Sequence, residues 1–446
     1  MRDILLFGIT GLILMAALMR PFNGMLAYIA YSFIGPHSYT YGMARSFSHV
    51  QAIAICTLVR YFLSPERKQL PAQREVILFI ALWAAFGIST ILAIMPDRAF
   101  DHLYKMSKIF LMIVLAMAMI NTEERLHLFA KAIAISIGFY GLKAGLFVVL
   151  SGGVAAIEGP EDSFLQSNNA LGMAMAMNVP LLFYLAKIEG NKWLRWLMQL
   201  MFLLSYPAVA GTFSRGAWLG LAVATGLMVV KSKSAAIKIA AALVLFLAVA
   251  VVVPNITSQE LQERFSSFGK LDEDTSAQGR FWTWTFCWRV GSEYPILGGG
   301  FDYYSVETYA RFYPEFLEQF PGKIWSCHNM WLTIWGELGL VGTALWGGLL
   351  VSVLFSLHKL KRGSNTHQGP PWVSAYADMI QLAFIAYMVC GTFLDIAYFE
   401  MFYFLIALVI LTKERVREAL EKDVMMQIVL PPEENVPLAR NSLFAG

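Results

Sequence analysis

The sequence has little charge for its length. Only 15% of its 446 residues are charged, whereas 57% are hydrophobic and the mean hydropathy is +0.57. A soluble globular chain carries about 25% charged residues, so the composition excludes that class and indicates an integral membrane protein. The apolar runs are continuous, which excludes a membrane β-barrel, because barrel strands alternate and are about ten residues long.

Several chemical signatures are also missing. The sequence contains no P-loop, no HExxH, no CxxC pair and no dinucleotide-binding glycine fingerprint. The acidic triplet Asp272, Glu273 and Asp274 has no supporting ligand pattern, and we interpret it as a solvated loop. We therefore expect no metal ion, no other cofactor and no nucleic-acid partner.

The four cysteines are widely spaced. Cys56 and Cys390 lie within apolar runs, whereas Cys287 and Cys327 lie at either side of a polar stretch. This second pair would be able to form a disulfide in an oxidising compartment, although the sequence does not give their separation. No small-residue cleavage site follows the apolar residues 4–19, so we expect an anchor rather than a signal peptide there.

Apolar segments occupy most of the chain. A spanning helix needs about 20 apolar residues. Thirteen segments are candidates: 4–19, 22–36, 47–63, 76–95, 103–120, 126–150, 169–187, 194–211, 216–231, 235–253, 329–357, 375–393 and 396–412. The first two are short and are separated by Arg20 and Pro21, so we interpret them as one broken crossing. The predicted fold is an all-α polytopic membrane protein with about 12 transmembrane helices.

The distribution of lysine and arginine predicts the orientation. Basic residues concentrate in the connections near 64–75, 187–195, 231–238 and 358–371 and again after 412. Such loops are typically cytoplasmic, which predicts a cytoplasmic C-terminus. The loop 151–168 has acidic residues and no basic residue, so we expect it outside.

These assignments divide the chain into four parts. We predict a transmembrane platform over 1–253, an outer helical region over 254–328, C-terminal transmembrane helices over 329–412 and a cytoplasmic tail over 413–446.

The stretch 254–327 is a long polar interval with ten acidic and six basic residues. It is rich in tryptophan, tyrosine and phenylalanine, and disordered segments are poor in such residues. We therefore predict a folded outer region with amphipathic helices at 258–268, 275–290 and 306–320. The polar interval ends at His328, directly before an apolar helix, and we expect a catalytic site at this boundary.

Three side chains near the boundary have suitable chemistry. Arg215 and Arg280 are permanently charged and can bind phosphate oxygens through two nitrogens. A neutral imidazole at His328 can accept a proton near pH 7. Each residue also has an explanation without a function. Arg215 would extend its charge to the membrane interface, Arg280 would be a solvated cation on an outer helix, and His328 would be hydrogen-bonded to the backbone.

Other polar residues are weaker candidates for binding the substrate. Arg289 is a second cation on the predicted helix 275–290, and Asn329 is expected to cap the helix after it. Arg98 and Lys108, with Lys105 between them, are placed to hold a lipid-linked phosphate. A charge inside a bilayer usually faces a cavity or a partner. That expectation applies to Lys131, Lys143, Asp395 and Glu400.

Several of these motifs together resemble the bacterial O-antigen ligase/polymerase superfamily. The resemblance covers about residues 160–345, and Gly35-Pro36-His37 adds a weak match near the N-terminus. It rests on Ser167-Asn168-Asn169-Ala170-Leu171, Ser214-Arg215-Gly216, Gly279-Arg280, Pro295-Ile296-Leu297-Gly298-Gly299-Gly300, and His328-Asn329 followed by Glu337-Leu338-Gly339.

The resemblance implies a glycosyltransferase of the GT-C kind in the bacterial inner membrane, with its site facing the periplasm. The implied reaction moves a glycan from undecaprenyl pyrophosphate to lipid A–core, with inversion and without a nucleotide sugar or metal. Arg215 and Arg280 would hold the pyrophosphate, and His328 would act on the acceptor hydroxyl. Asn168 and Asn169 would contact substrate.

Two alternatives remain open. An O-antigen polymerase or a protein O-oligosaccharyltransferase would use the same donor and differ in the acceptor, which these motifs do not encode. A transporter of lipid-linked sugars belongs to another class and would need paired halves or broken helices at matching positions, which the sequence does not show.

Overall fold

The computed structural model describes residues 1–66, 68–152, 157–161, 163–232, 275–365 and 370–429. Within these residues the fold is helical and contains no strand, which confirms the predicted all-α class. The predicted helices at 235–253 and 258–268 and the acidic triplet at 272–274 lie outside the described residues.

Helices follow one another through short connections. Residues up to 232 form α1 (Arg2–Met19), α2 (Pro21–Ile34), α3 (Met43–Ser46), α4 (His49–Leu63), α5 (Arg74–Ile91), α6 (Pro96–Met119), α7 (Glu123–Ser151), α8 (Asn168–Ile188), α9 (Lys192–Gly211) and α10 (Arg215–Lys231). Residues from 275 form α11 (Thr275–Glu293), α12 (Val306–Phe312), α13 (Pro314–Gln319), α14 (Met330–Asn365), α15 (Val373–Gly391) and α16 (Glu400–Val429).

Seven of the described helices are long and apolar enough to cross a membrane, namely α1, α5, α6, α7, α8, α14 and α15. Helix α4 is apolar but shorter. The chain is therefore a multi-pass membrane protein by length and composition of its helices. The finer predictions of 12 crossings and a GT-C arrangement remain predictions.

The first two apolar segments form an antiparallel hairpin. Gly24 of α2 lies against Ala17 of α1, and Thr10 of α1 shares a hydrogen bond with Tyr31 near the end of α2. Arg20 has extended backbone between the two helices, which lie side by side rather than end to end as one broken crossing would require, so the count of about 12 crossings loses that part of its basis. Helix α4 packs against both helices and supports these short segments.

Two sets of polar contacts lie at opposite ends of α5. At one end, Glu75 at the start of α5 accepts hydrogen bonds from Ser352 and Ser356 and pairs with Lys413 at 2.6 Å. At the other end of α5, Ser89 donates to the carbonyl oxygen of Glu337. At about 1.5 Å per residue, α5 separates these ends by about 20 Å. We call them the basic end and, after the side of the membrane that the sequence predicts for it, the outer end.

Helix α14 is interrupted at Gly339, whose φ of 59° and ψ of −156° are not helical. The loop 295–300 fills the interruption. Leu340 N donates to the Pro295 carbonyl at 2.8 Å, and Gly299 N donates to the Gly336 carbonyl at 2.7 Å. Backbone groups freed by the kink are thereby paired again, as buried backbone requires.

Two glycines permit this close approach. Gly298 has φ 72°, and a Cβ there would stand 2.3 Å from the backbone carbon of Glu337. A Cβ on Gly339 would stand 2.6 Å from the nitrogen of Gly298. The glycine-rich loop therefore approaches the backbone of α14 closely, and α11 packs against α14 at the outer end.

Candidate active site

Arg280 and the start of α10, which carries Arg215, lie against the connection between α15 and α16, residues 392–399. The Cβ position of Gly216, which follows Arg215, lies 3.6 Å from the side chain of Phe393. The guanidinium carbon of Arg280 lies 6.0 Å from the centre of the Phe393 ring. Two distant parts of the sequence are therefore brought to the same aromatic side chain.

Local capping sets the position of Arg215. Ser214 caps α10 through its side-chain oxygen. The Asn168 amide at the start of α8 donates to the Thr212 carbonyl at 2.9 Å, and its Oδ1 accepts from Asn169 N at 2.9 Å. The bond from Asn168 to Thr212 ties the start of α8 to the turn between α9 and α10. It gives Asn168 a structural partner, whereas substrate contacts by Asn168 and Asn169 remain predictions.

His328 stands directly before α14. Asn329 caps this helix, since its Oδ1 accepts hydrogen bonds from the backbone of Trp331 at 3.0 Å and Leu332 at 3.1 Å. The predicted cap is thus confirmed. The Thr333 hydroxyl, one turn further on, donates to the Asp395 carboxylate at 2.9 Å, which brings the connection 392–399 to the start of α14.

The surroundings of His328 favour a neutral imidazole. Its side chain is open to solvent, yet the nearby protein lowers its pKa from the usual 6.5 by desolvation. The Asp395 carboxylate opposes this shift of the pKa, and the Arg280 guanidinium adds to it. A neutral imidazole at pH 7 can accept a proton from a hydroxyl group.

Left-handed backbone concentrates around this site. Among the described non-glycine residues, Phe213, Asp302 and His328 have positive φ, of 52°, 51° and 50°. Phe213 lies two residues before Arg215, and Asp302 lines the adjacent cavity. Such conformations are uncommon outside glycine and occur preferentially at active sites and ligand clamps.

A cavity of about 620 Å³ lies beside His328 at the outer end. Its lining includes the carboxylates of Glu158, Asp302, Glu337 and Asp395. Sequence analysis identified Asp395 only as a charge inside the membrane, and it gave Asp302 no role. Glu337 offered a signal as a carboxylate within an apolar run, but nothing local indicated that these residues meet.

The remaining candidate arginines bind protein groups. Arg98 donates to the Tyr304 carbonyl at 2.6 Å and so holds α6 against the segment after Asp302. Arg289 pairs with Glu315 at 3.1 Å, linking α11 to α13. Substrate binding by Arg98 and Arg289 remains a prediction.

Charges expected inside the membrane mostly have partners. Lys131 pairs with Glu189 at 3.0 Å, and Glu400 accepts a hydrogen bond from Ser32. Lys143 lies over an aromatic ring. Lys108 is exposed and lies 4.2 Å from the centre of the Tyr104 ring on the same helix, and its binding of a lipid-linked phosphate remains a prediction.

Cys287 and Cys327 lie in one buried aromatic cluster of the outer region and are both free thiols. Burial raises the pKa of Cys327 well above its usual range, and the neighbouring Cys287 adds to this. The suggested disulfide is therefore not formed in this structure. Across the described ranges, no three histidine, cysteine, aspartate or glutamate side chains converge as metal ligands.

Comparison with protein families gives two matches. Residues 200–347 match a family model described as O-Antigen ligase, and this range contains Arg215, Arg280 and His328. The match confirms the resemblance to the O-antigen ligase/polymerase superfamily. Residues 1–190 match a family of unknown function, DUF5935. No curated protein matches the chain.

Proposed function

We propose that this protein transfers a glycan from undecaprenyl pyrophosphate to a hydroxyl group of lipid A–core at the outer face of the bacterial inner membrane. The observation that supports the proposal is that Arg280 and the start of α10, which carries Arg215, lie against residues 392–399, as does the start of α14 that follows His328. Arg215, Arg280 and His328 all belong to the segment 200–347 that matches the O-antigen ligase family.

The arginines have the chemistry to bind the donor. A pyrophosphate leaving group is already activated, so the enzyme needs to neutralise the negative charge that develops as the bond breaks. Arg215 is the first residue of α10, and Arg280 belongs to α11, so both charges are carried by helices. Arginine remains charged at any physiological pH and matches the geometry of phosphate oxygens.

His328 has the chemistry to activate the acceptor. In the proposed step its imidazole takes the proton from the acceptor hydroxyl while that oxygen forms a bond to the anomeric carbon. The bond from this carbon to the pyrophosphate oxygen breaks, and the pyrophosphate leaves with the electron pair. Asp395 is close enough to stabilise the imidazolium that results. Attack opposite to the leaving group inverts the anomeric centre.

The proposed side of the membrane follows from the two ends of the bundle. Lys413 and Arg415 lie at the basic end, whereas His328 and Asp395 lie at the outer end. Because basic loops are typically cytoplasmic, the site would face the periplasm, where glycans on the lipid carrier are used.

Reconstitution with parallel acceptors tests the reaction. We expect purified protein in lipid vesicles, given undecaprenyl-pyrophosphate glycan, to glycosylate lipid A–core and to release undecaprenyl pyrophosphate. A second carrier-linked glycan and an acceptor protein are supplied in separate reactions. Product formed only from the carrier-linked glycan would identify a polymerase, and product formed only on protein would identify an oligosaccharyltransferase.

The same assay tests for a metal. We expect the rate to be unchanged in excess chelator. Loss of the rate that added divalent metal restores would contradict the proposed mechanism.

A further inference from the structure

The cavity beside His328 is acidic and rich in hydroxyl groups. Glu158, Asp302, Glu337 and Asp395 contribute carboxylates, and no lysine or arginine of the described residues lines it. Burial raises the pKa of Asp302, and Asp395 adds to this shift, although Arg98 and Lys105 nearby oppose it. The Arg98 guanidinium is held by the carbonyl of Tyr304 rather than by the cavity.

One buried hydroxyl of the lining lacks a protein partner. Glu337 is 3% exposed and accepts a hydrogen bond from Asp302 N through Oε1 at 3.0 Å. The Tyr398 hydroxyl lies close enough to the Glu337 carboxyl to pair with it. The buried Tyr304 hydroxyl, by contrast, has no hydrogen-bond partner among the described residues. Buried polar atoms are normally paired, so this hydroxyl is available to a ligand.

We propose that this cavity binds an uncharged, hydroxyl-bearing sugar ring of the acceptor and discriminates against sugars that carry a carboxylate or phosphate. Carboxylates accept strong hydrogen bonds from hydroxyl donors, and Tyr304, Tyr398 and Phe164 supply aromatic surface in the same lining. The proposal names the substrate class of the transfer proposed above and rests on it.

The position of the cavity indicates that the bound sugar ring belongs to the acceptor rather than to the pyrophosphate-linked donor. His328, the base in the proposed reaction, lies in sequence between the lining residues Ser326 and Thr333, and the lining residue Asp395 is close enough to act on its pKa. Arg280 and the start of α10, by contrast, lie against Phe393. An acceptor hydroxyl in the cavity would therefore reach the imidazole while the donor phosphates remain with the arginines.

The negative charge of the lining indicates that the bound sugar is uncharged. A carboxylate or phosphate on the sugar would stand in the same cavity as the carboxylates of Glu158, Asp302 and Asp395, and like charges repel more strongly where water is scarce. The carboxylates of the lining do not converge as a metal site among the described residues, so a bound cation has no ready-made set of ligands to offset this repulsion.

Direct binding tests the subsite without the reaction. Full-length protein in lipid nanodiscs is titrated, by saturation-transfer NMR at pH 7, with the methyl glycosides of glucose and galactose and with the matching methyl uronides. We expect each neutral glycoside to bind at least about tenfold more tightly than its uronide, given the like-charge repulsion. Equal binding of the two classes, or no binding of either neutral glycoside, would overturn the proposal.

Replacing a carboxylate of the cavity by an amide tests which residues cause the preference for neutral sugars. Asp302→Asn removes one charge and preserves the left-handed backbone, which asparagine tolerates, and Glu158→Gln provides a second variant on a separate loop. We expect either variant to reduce the ratio of the affinities for neutral glycoside and uronide by at least about threefold. The control Glu318→Gln neutralises an exposed carboxylate of α13 outside the cavity and should leave the preference unchanged. An equal change in the control would overturn the assignment.

The transfer assay separates the two proposals. Discriminating binding without glycan transfer to any acceptor would preserve the sugar subsite and reject the proposed function. Transfer without discrimination between neutral and acidic sugars would preserve the function and reject the subsite.

Discussion

At the residue scale, the neighbours of the candidate base His328 determine its protonation state. His328 has a lowered pKa because protein surrounds it, and Asp395 and Arg280 act on it in opposite directions. The carboxylate comes from a connection that begins more than 60 residues later in the chain. A histidine in this setting can act as a base at neutral pH and return the proton afterwards.

The pH dependence of transfer tests this electrostatic setting. The neutral imidazole is the active form, and its pKa lies below 6.5, so activity should be full at pH 7 and be lost as the pH falls through that lowered pKa. Asp395→Asn removes the group that raises the pKa. We therefore expect the acid limb of the rate profile to move to lower pH, together with a lower maximal rate.

Glu318→Gln serves as the control, since that residue is exposed on α13. An acid limb that stays in place in Asp395→Asn, or that moves to higher pH, would contradict the coupling between Asp395 and His328.

Sequence alone identified the residues that stand out locally. Arg215 and His328 are conspicuous because each is polar at the edge of an apolar segment, and Arg280 because it follows a glycine and precedes aromatic residues. Asp302 and the lining of the cavity were not predictable, because the contacts that assemble them join distant segments. The positive φ of His328 also has no signature in residue type.

At the scale of elements, the kink of α14 and the loop 295–300 form one unit. The loop supplies the hydrogen bonds that the kink removes, and it holds Asp302 next to Glu337. Glycines in a loop indicate a turn or a close approach. They do not indicate which helix is approached.

Alanine substitutions test this unit. Gly298→Ala and Gly339→Ala each place a Cβ against backbone at positive φ. Left-handed backbone alone costs about 1–2 kcal/mol for a residue with a Cβ, and the steric conflict adds to it. We expect both variants to unfold at lower temperature in tryptophan fluorescence melts and to lose transfer activity.

Gly347→Ala in the same helix is the matched control, because no atom lies within 4 Å of its Cβ position. This variant should melt at or slightly above the wild-type temperature, as alanine favours helix. Wild-type melting of Gly298→Ala and Gly339→Ala would contradict the packing of the loop against the kink.

At the scale of the whole molecule, composition and hydropathy were sufficient for the fold class. The arrangement of the first two helices was not, because two short apolar runs fit either a hairpin or one broken crossing. Contacts with α4 determine the hairpin, and those contacts depend on side chains such as Thr10 and His49, which hydrogen-bond at 2.9 Å.

Accessibility from outside the cell tests the proposed orientation. We expect Glu318→Cys, at the outer region, to react with a membrane-impermeant maleimide on intact cells. Lys422→Cys, near the end of α16, should react only after lysis. The wild-type protein gives the background, since Cys287, Cys327 and Cys390 are buried. The reverse pattern would place the candidate site in the cytoplasm.

The transfer rate of His328→Ala tests the central claim most directly. The variant is reconstituted with undecaprenyl-pyrophosphate glycan and lipid A–core at saturating concentrations, and its donor affinity and melting temperature are measured alongside. General-base catalysis contributes about 10²–10⁴-fold, so we predict a rate at least about 100-fold below wild type with donor binding and folding retained. Transfer at the wild-type rate would contradict the role of His328 and the site built around it.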